Sequence, residues 1–211
     1  MSSSGTAERT PTGYTLIIPP GWARIPLREG TKEALERIFF THLDKVPDGV
    51  ARDDAMRFRL ELRRQLEKRA RAARRNGGLD LYLPVRPRSG TLVAASFIVA
   101  ELPIGGAEQA KAKHVLDRLA ANTAGGPGAT IRELSGSTAV RRESRVAAES
   151  GRELDVDTRR VEYVMPVAGD SGNWLSISFS TPGDGNLDSD FTDVLVELFD
   201  AVVGTFKWRY E

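Results

Sequence analysis

Two histidines, a run of alternating oxygen-bearing side chains, a row of serines and a glycine-rich loop are the parts of this 211-residue sequence whose types and spacing could do chemistry. His42 and His114 could ligate a metal or carry a proton, the usual work of imidazole near neutral pH. Each falls on a charged helical stretch with no second histidine or cysteine at helical spacing. Catalysis needs a converging set of groups, so both read as surface residues. In DGNLDSD, Asp184 to Asp190, the alternating oxygens invite calcium. An EF-hand loop needs glycine at its sixth position and glutamate at its twelfth; Ser189 and Leu195 stand there instead. The run therefore reads as a turn at Gly183 and Gly185 followed by an Asp or Ser helix cap.

Ser176, Ser178 and Ser180 share one strand face, but nothing in the sequence places an acid–base partner beside them. They read as small residues that let a helix come close; the alternative is a face open to a partner, with Trp174 at its edge. Asp155 and Asp157 read as a solvated strand edge. AGGPGAT, Ala124 to Thr130, suggests a phosphate cradle. Such a cradle runs from a strand into a helix, whose N-terminus meets the anion. This one runs from helix to strand and lacks the Gly-Lys-Ser/Thr ending, so it reads as a plain loop.

The most informative segment is basic. From Asp53 to Arg75 the sequence predicts a long helix ended by Asn76-Gly77-Gly78, because glycine takes the left-handed C-terminal conformation readily. At about 100° per residue, Ala55, Phe58, Leu62, Leu66, Ala70 and Ala73 form an apolar stripe, and Arg57, Arg64, Lys68, Arg71 and Arg75 fall together on the opposite side. Between Arg59 and Arg75 stand eight basic and two acidic residues, although the whole chain has a net charge of only +1. The charge is segregated. The bland account is a solvated helix with Glu67 and Arg71 paired at i,i+4. The sharper one is a partner-binding surface for a protein with an acidic face. Nucleic acid is not supported, since no aromatic residues are interleaved with the cations.

Composition sets the frame for these readings. Hydrophobic content of 40% and charged content of 28% belong to an ordinary globular chain able to bury a core without staples. With no cysteine there are no disulfides, thiol nucleophiles, cysteine metal sites or lipidated cysteine. The opening MSSSGTAERTPTG lacks an apolar signal region, and the most apolar stretch, Leu92 to Ile104, is too short to span a bilayer. The expectation is a cytoplasmic protein with residues 1–12 disordered and 13–211 forming one domain.

The positioning elements follow from periodicity. Tyr14, Leu16 and Ile18 suit a strand that stops at Pro19-Pro20-Gly21. Thr31 caps a helix reaching about His42. Leu79, Leu81, Leu83 and Val85 are expected on one strand face, and TLVAASFIVAEL reads as a strand buried on both faces. Gly105 to Asn122 reads as a helix with Val115, Leu116 and Leu119 inward. Thr130 onward predicts a hairpin turning at Gly136. Val161, Tyr163, Met165 and Val167 alternate with polar residues, as do Leu175, Ile177 and Phe179. A final helix from about Ser189 to Thr205 points Leu195, Leu198, Phe199 and Val202 inward. The strands led by Tyr14, Leu81, Phe97, Val161 and Ile177 are expected in one sheet. Helices covering an antiparallel sheet make an α+β fold.

YTLIIPPGW, VEYVMPVAGDSGNWLSISFSTP and FTDVLVELFDAVVGTFKW together resemble the PsbP-like fold group, which takes in actinobacterial LpqN-type lipoproteins. The resemblance covers both ends of the chain and thins between Glu29 and Asn76. It implies an α/β/α sandwich around a twisted, mostly antiparallel sheet, and a non-catalytic, partner-binding role of the adaptor or secretion-accessory kind. It carries over no catalytic residue, metal or cofactor. The alternative from another class is a small-molecule-binding protein or enzyme with a pocket between sheet and helices.

Overall fold

The computed structural model describes residues 10–42, 52–87, 93–102, 115–117, 129–148, 156–169 and 172–211. Its order is β1 (Gly13–Thr15), β2 (Trp22–Pro26), α1 (Thr31–His42), α2 (Arg52–Arg75), β3 (Gly78–Pro84), β4 (Ser96–Leu102), β5 (Thr130–Leu134), β6 (Ser137–Val146), β7 (Thr158–Pro166), β8 (Trp174–Thr181), α3 (Asp190–Gly204) and β9 (Lys207–Arg209). A seven-stranded sheet has the order β2-β3-β4-β8-β7-β6-β5, and β1 pairs with β9 in a separate two-stranded sheet. Every pairing is antiparallel. Helices cover both faces of the large sheet, so the chain is an α+β protein.

Side-chain alternation divides that sheet. Phe97 and Val99, Val161, Tyr163 and Met165, and Leu175, Ile177 and Phe179 line one face and pack with Leu195, Phe199, Val202 and Val203 of α3. The centre of this cluster is Phe199, whose ring lies 4.9 Å from Phe179, 5.7 Å from Phe97 and 5.9 Å from Tyr163. On the other face Leu81, Leu83 and Ile98 meet Leu35 and Ile38 of α1 and Leu66, Ala70 and Ala73 of α2. A third cluster joins Leu116, Val140, Val164 and Trp174 on that same face.

Local chemistry sets the turns. Pro19 and Pro20 end the opening segment, Gly21 takes φ +85°, and the Trp22 amide donates to the Pro19 carbonyl at 3.2 Å. The turn delivers the Trp22 ring to within 5.7 Å of Phe97. Ser135 and Gly136 both have positive φ, 50° and 79°, between the paired ends of β5 and β6. That is the two-residue turn whose twist matches a hairpin. Ser189 caps α3, accepting from the Thr192 amide at 3.2 Å.

Two expectations and one alternative reading are corrected. Tyr14 does not join the large sheet: it pairs with Trp208, and Leu16 and Ile18 continue as irregular chain packed on the first cluster. Leu79 leaves the face of Leu81, Leu83 and Val85, because the register shifts between Gly78 and Asp80. A bulge there adds a residue and turns the side chain over. Trp174 is buried, which removes the alternative of an open face with Trp174 at its edge. Thr10 and Thr12, in the stretch expected to be disordered, bond to the Gly169 and Arg209 carbonyls. Of the helix expected around Val115, residues 115–117 are helical with Leu116 buried; Leu119 lies outside the described residues.

Candidate interaction surfaces

α2 is built to lie on the protein with one side free. Leu66, Ala70 and Ala73 pack into the second cluster, and Leu62 is half-buried; the side chains of Ala55 and Phe58 lie outside the described residues. Arg63 fastens α2 to α1, reaching Glu36 and Glu67 at 3.0 Å each. The opposite side carries Arg57, Arg64, Lys68, Arg71 and Arg75, all exposed as the helical spacing predicts. Arg57 stands 3.8 Å from Asp54 and Arg71 3.8 Å from Glu67. Among the described residues, Arg64, Lys68 and Arg75 meet no acidic side chain within ion-pair distance. A groove of about 260 Å³ runs between α1 and α2, with Leu27, Leu35 and Ala70 on its floor and Lys32, Arg71 and Arg74 on its rim. Arg71 thus belongs to both the stripe and the groove.

A second surface lies where the small sheet meets the β2–β3 edge of the large one. A cleft of about 360 Å³ is lined by Tyr14, Arg24, Arg28, Asp80, Glu101 and Arg209 among others. Asp80 is buried, and Arg24 donates to its two oxygens at 2.7 and 3.0 Å. The Tyr14 hydroxyl donates to the same carboxylate and stands 3.3 Å from the Tyr82 hydroxyl. Burial, with Tyr82 and Asp80 beside it, pushes the Tyr14 phenol far above its usual range. Hydrogen bonding to Asp80 holds the Arg24 guanidinium more firmly protonated. Arg28 pairs with Glu101. Gly13 lets the Arg209 guanidinium lie over the backbone, since a Cβ there would stand 3.1 Å from a guanidinium nitrogen.

The sequence carries one signal for this cluster. Asp80 is the lone acid in the apolar run LDLYLPV, and a buried acid needs a cation and donors. The two helices that separate Arg24 from Asp80 in the chain hide that partner.

A third polar group fixes α3 to the sheet. Arg141 reaches Asp200 at 3.0 Å and Glu143 at 3.1 Å, while Arg159 bridges Glu143 and Asp193 at 2.5 Å each. Tyr163 donates to Asp200 at 2.9 Å, and burial raises its phenol well above the usual range.

The remaining candidates resolve into structural roles where they are described. Asp184 accepts from the Asn186 amide at 3.1 Å and the Ser189 hydroxyl at 2.8 Å, which lowers its carboxyl pKa, the Ser189 bond first. Asp188 pairs with Arg145. These oxygens serve the turn and the cap. Ser176 donates to Glu162 at 3.1 Å, and Glu162 pairs with Arg142. Asp157 accepts from the Ala148 amide at 2.9 Å. His114, Asp155, the His42 side chain and most of the Ala124–Thr130 loop lie outside the described residues. Among the described residues no three His, Cys, Asp or Glu side chains gather as a metal site, and no helix is long and apolar enough to cross a membrane.

Fold and surfaces together define an α+β chain with an antiparallel sheet between helices and a basic helix laid along one face. No family model matches the sequence, and no curated protein does. Among solved structures it is distantly similar to LpqN of Mycobacterium tuberculosis, described as involved in cell envelope biogenesis. The TM-score is 0.47 at 11% identity, over 97% of this chain and 86% of that one.

Proposed function

We propose that this protein is a non-catalytic protein-binding module of the PsbP-like fold group, an adaptor or accessory protein that docks through α2 on a protein with an acidic surface. One observation carries the reading: Arg57, Arg64, Lys68, Arg71 and Arg75 stand exposed in a line along a helix whose other side is anchored in the core. Like charges at Arg64–Lys68 and Arg71–Arg75 repel across helical neighbours, so stability does not call for the arrangement. An acidic partner relieves the repulsion, and electrostatic attraction speeds encounter and weakens with salt. The test replaces Arg64, Lys68 and Arg71 with glutamine and measures capture of partners from native lysate by mass spectrometry. Loss of specific capture with unchanged melting supports the module; unimpaired capture leaves the stripe a solvated helix face.

The cleft beside Asp80 favours a second reading, a small-molecule-binding protein. Three guanidinium groups and two carboxylates converge there, leaving Arg209 without an acidic partner among the described residues. Convergent polar groups in a concavity are what ligand sites present. Melting shifts with small carboxylic and phosphoric acids, lost in Arg209→Gln, would favour this reading over the module.

A further inference from the structure

α3 does two things at once. It buries Thr192, Leu195, Val196, Phe199, Val202 and Val203 against the sheet. A helix with such an inner side ordinarily turns polar residues outward. α3 does so only in part: Phe191 is 40% and Val194 57% exposed, and their stripe continues at helical spacing through Leu198, expected inward but only half-buried, and exposed Ala201. Ile17, 72% exposed, extends it at the helix end, where its amide donates to the Thr205 hydroxyl at 2.9 Å. Along one side of this stripe stand exposed Asp190, Asp193 and Glu197. Asp193 is held by Arg159, whereas Asp190 and Glu197 meet no cation within ion-pair distance among the described residues.

α2 presents the complementary combination. Met56 and Leu60, 53% and 61% exposed, flank the line of Arg57, Arg64, Lys68 and Arg71. Single exposed apolar residues are ordinary. Here they are aligned on two helices, beside acids on one and beside cations on the other.

We infer that the outer side of α3 receives α2 of a second copy of this chain. The inference rests on α2 being a binding surface for an acidic partner, and it names that partner. At about 1.5 Å per residue α3 spans roughly 22 Å and α2 roughly 36 Å, so the acidic helix fits within the length of the basic one. The apolar pairs Met56–Leu60 and Phe191–Val194 supply the area that charge alone lacks. α2 packs on the sheet face of Leu81 and Ile98, and α3 on the face of Phe97 and Val99. The contact therefore joins two different patches, and copies add head to tail, as an open chain or a ring.

Sedimentation velocity of the full chain, at low salt and at about 0.5 M salt where screening is nearly complete, tests this. The expected result is a mass that rises with concentration at low salt and returns to the monomer at high salt. Two surface variants then separate the patches: Arg64→Gln/Lys68→Gln/Arg71→Gln on α2 and Val194→Gln/Glu197→Gln on α3. Each is expected to be monomeric alone. Mixed in equal amounts, they are expected to form a one-to-one complex that grows no further, because each keeps the patch the other has lost. Should Val194→Gln disturb the fold, Glu197→Lys alone serves as the α3 variant. Association untouched by either variant, or two variants that stay apart when mixed, overturns the inference. A wild-type chain monomeric at every salt concentration also overturns it. In that case poly-L-glutamate binding that the α2 variant loses keeps the module reading alone, and its absence removes both.

Discussion

Arg24 lays two guanidinium nitrogens on the Asp80 carboxylate, at 2.7 and 3.0 Å, from a side chain that is 60% exposed to one that is 3% exposed. The pair is lopsided: Arg24 is largely hydrated, and among the described residues no other cation pairs with Asp80. Breaking a buried pair by removing one partner costs about 3–5 kcal/mol, and partial solvent access discounts that figure. Arg24→Ala is therefore expected to lower stability by about 2 kcal/mol in urea melts. A change near zero would mean that the Tyr14 hydrogen bond and water are enough to satisfy the Asp80 carboxylate.

Phe199 is the hub of three aromatic contacts in the first cluster, the closest a stacked pair with Phe179 at 4.9 Å. Phe199→Ala opens a cavity and is expected to cost about 3–5 kcal/mol. A denaturant midpoint within error of the wild type would show that α3 adds little to the core.

Gly77 joins α2 to β3 at φ +82°, with its carbonyl accepting from the Glu101 amide at 2.9 Å. A Cβ there would lie 2.2 Å from the Glu101 carbonyl oxygen. Gly77→Ala therefore combines strained backbone with a clash against a neighbouring strand, and is expected to cost at least about 2 kcal/mol. Recovery of a wild-type melting curve would mean that the turn can be rebuilt.

Neutralising Arg64, Lys68 and Arg71 removes like-charge contacts worth a few tenths of a kcal/mol each. Thermal melting of the triple glutamine variant is expected to match or slightly exceed that of the wild type, with the difference shrinking as salt rises. A clear loss of stability would assign these side chains to the fold rather than to a partner.

Tyr14, Tyr82 and Tyr163 all have phenols raised above the ordinary value of 10.0 by burial first of all. A group whose folded pKa is raised keeps its full contribution below the unfolded value and loses it as pH rises toward the folded one. Stability is thus expected to hold up to about pH 10 and to fall beyond it. Melting followed from pH 8 to 11 should show a shallower alkaline decline in Tyr14→Phe and Tyr163→Phe, whatever their loss at neutral pH. An identical decline in all three proteins would remove these tyrosines as the cause.

Where a period of two or of 3.6 ran long enough, the sequence was legible. Val161, Tyr163 and Met165 and Leu175, Ile177 and Phe179 lie on the expected face, and Leu195, Phe199 and Val202 of α3 point inward. The exposed line on α2 follows from the same arithmetic. Features made by one unpaired step or by remote partners stayed hidden. A single-residue bulge moved Leu79, and three residues at each end of the chain are too few to announce that Tyr14 pairs with Trp208. Asp80 finds Arg24 across the sheet edge, a distance no local window contains. The outer side of α3 escaped because its inner stripe already accounted for a core helix.

The pairing of β1 with β9 orders events in time as well as space. Gly13 meets Arg209, Thr15 meets Lys207, and the Tyr14 ring stacks on Phe206 at 5.8 Å. During synthesis the first strand emerges from the ribosome long before its mate, which follows all the other described strands. Domains complete N-terminal parts first only where contacts are local. Here the opening strand waits, and Tyr14 reaches Asp80 from a small sheet that cannot close until β9 has been made. The cleft is thus assembled only after every strand of the large sheet has been made.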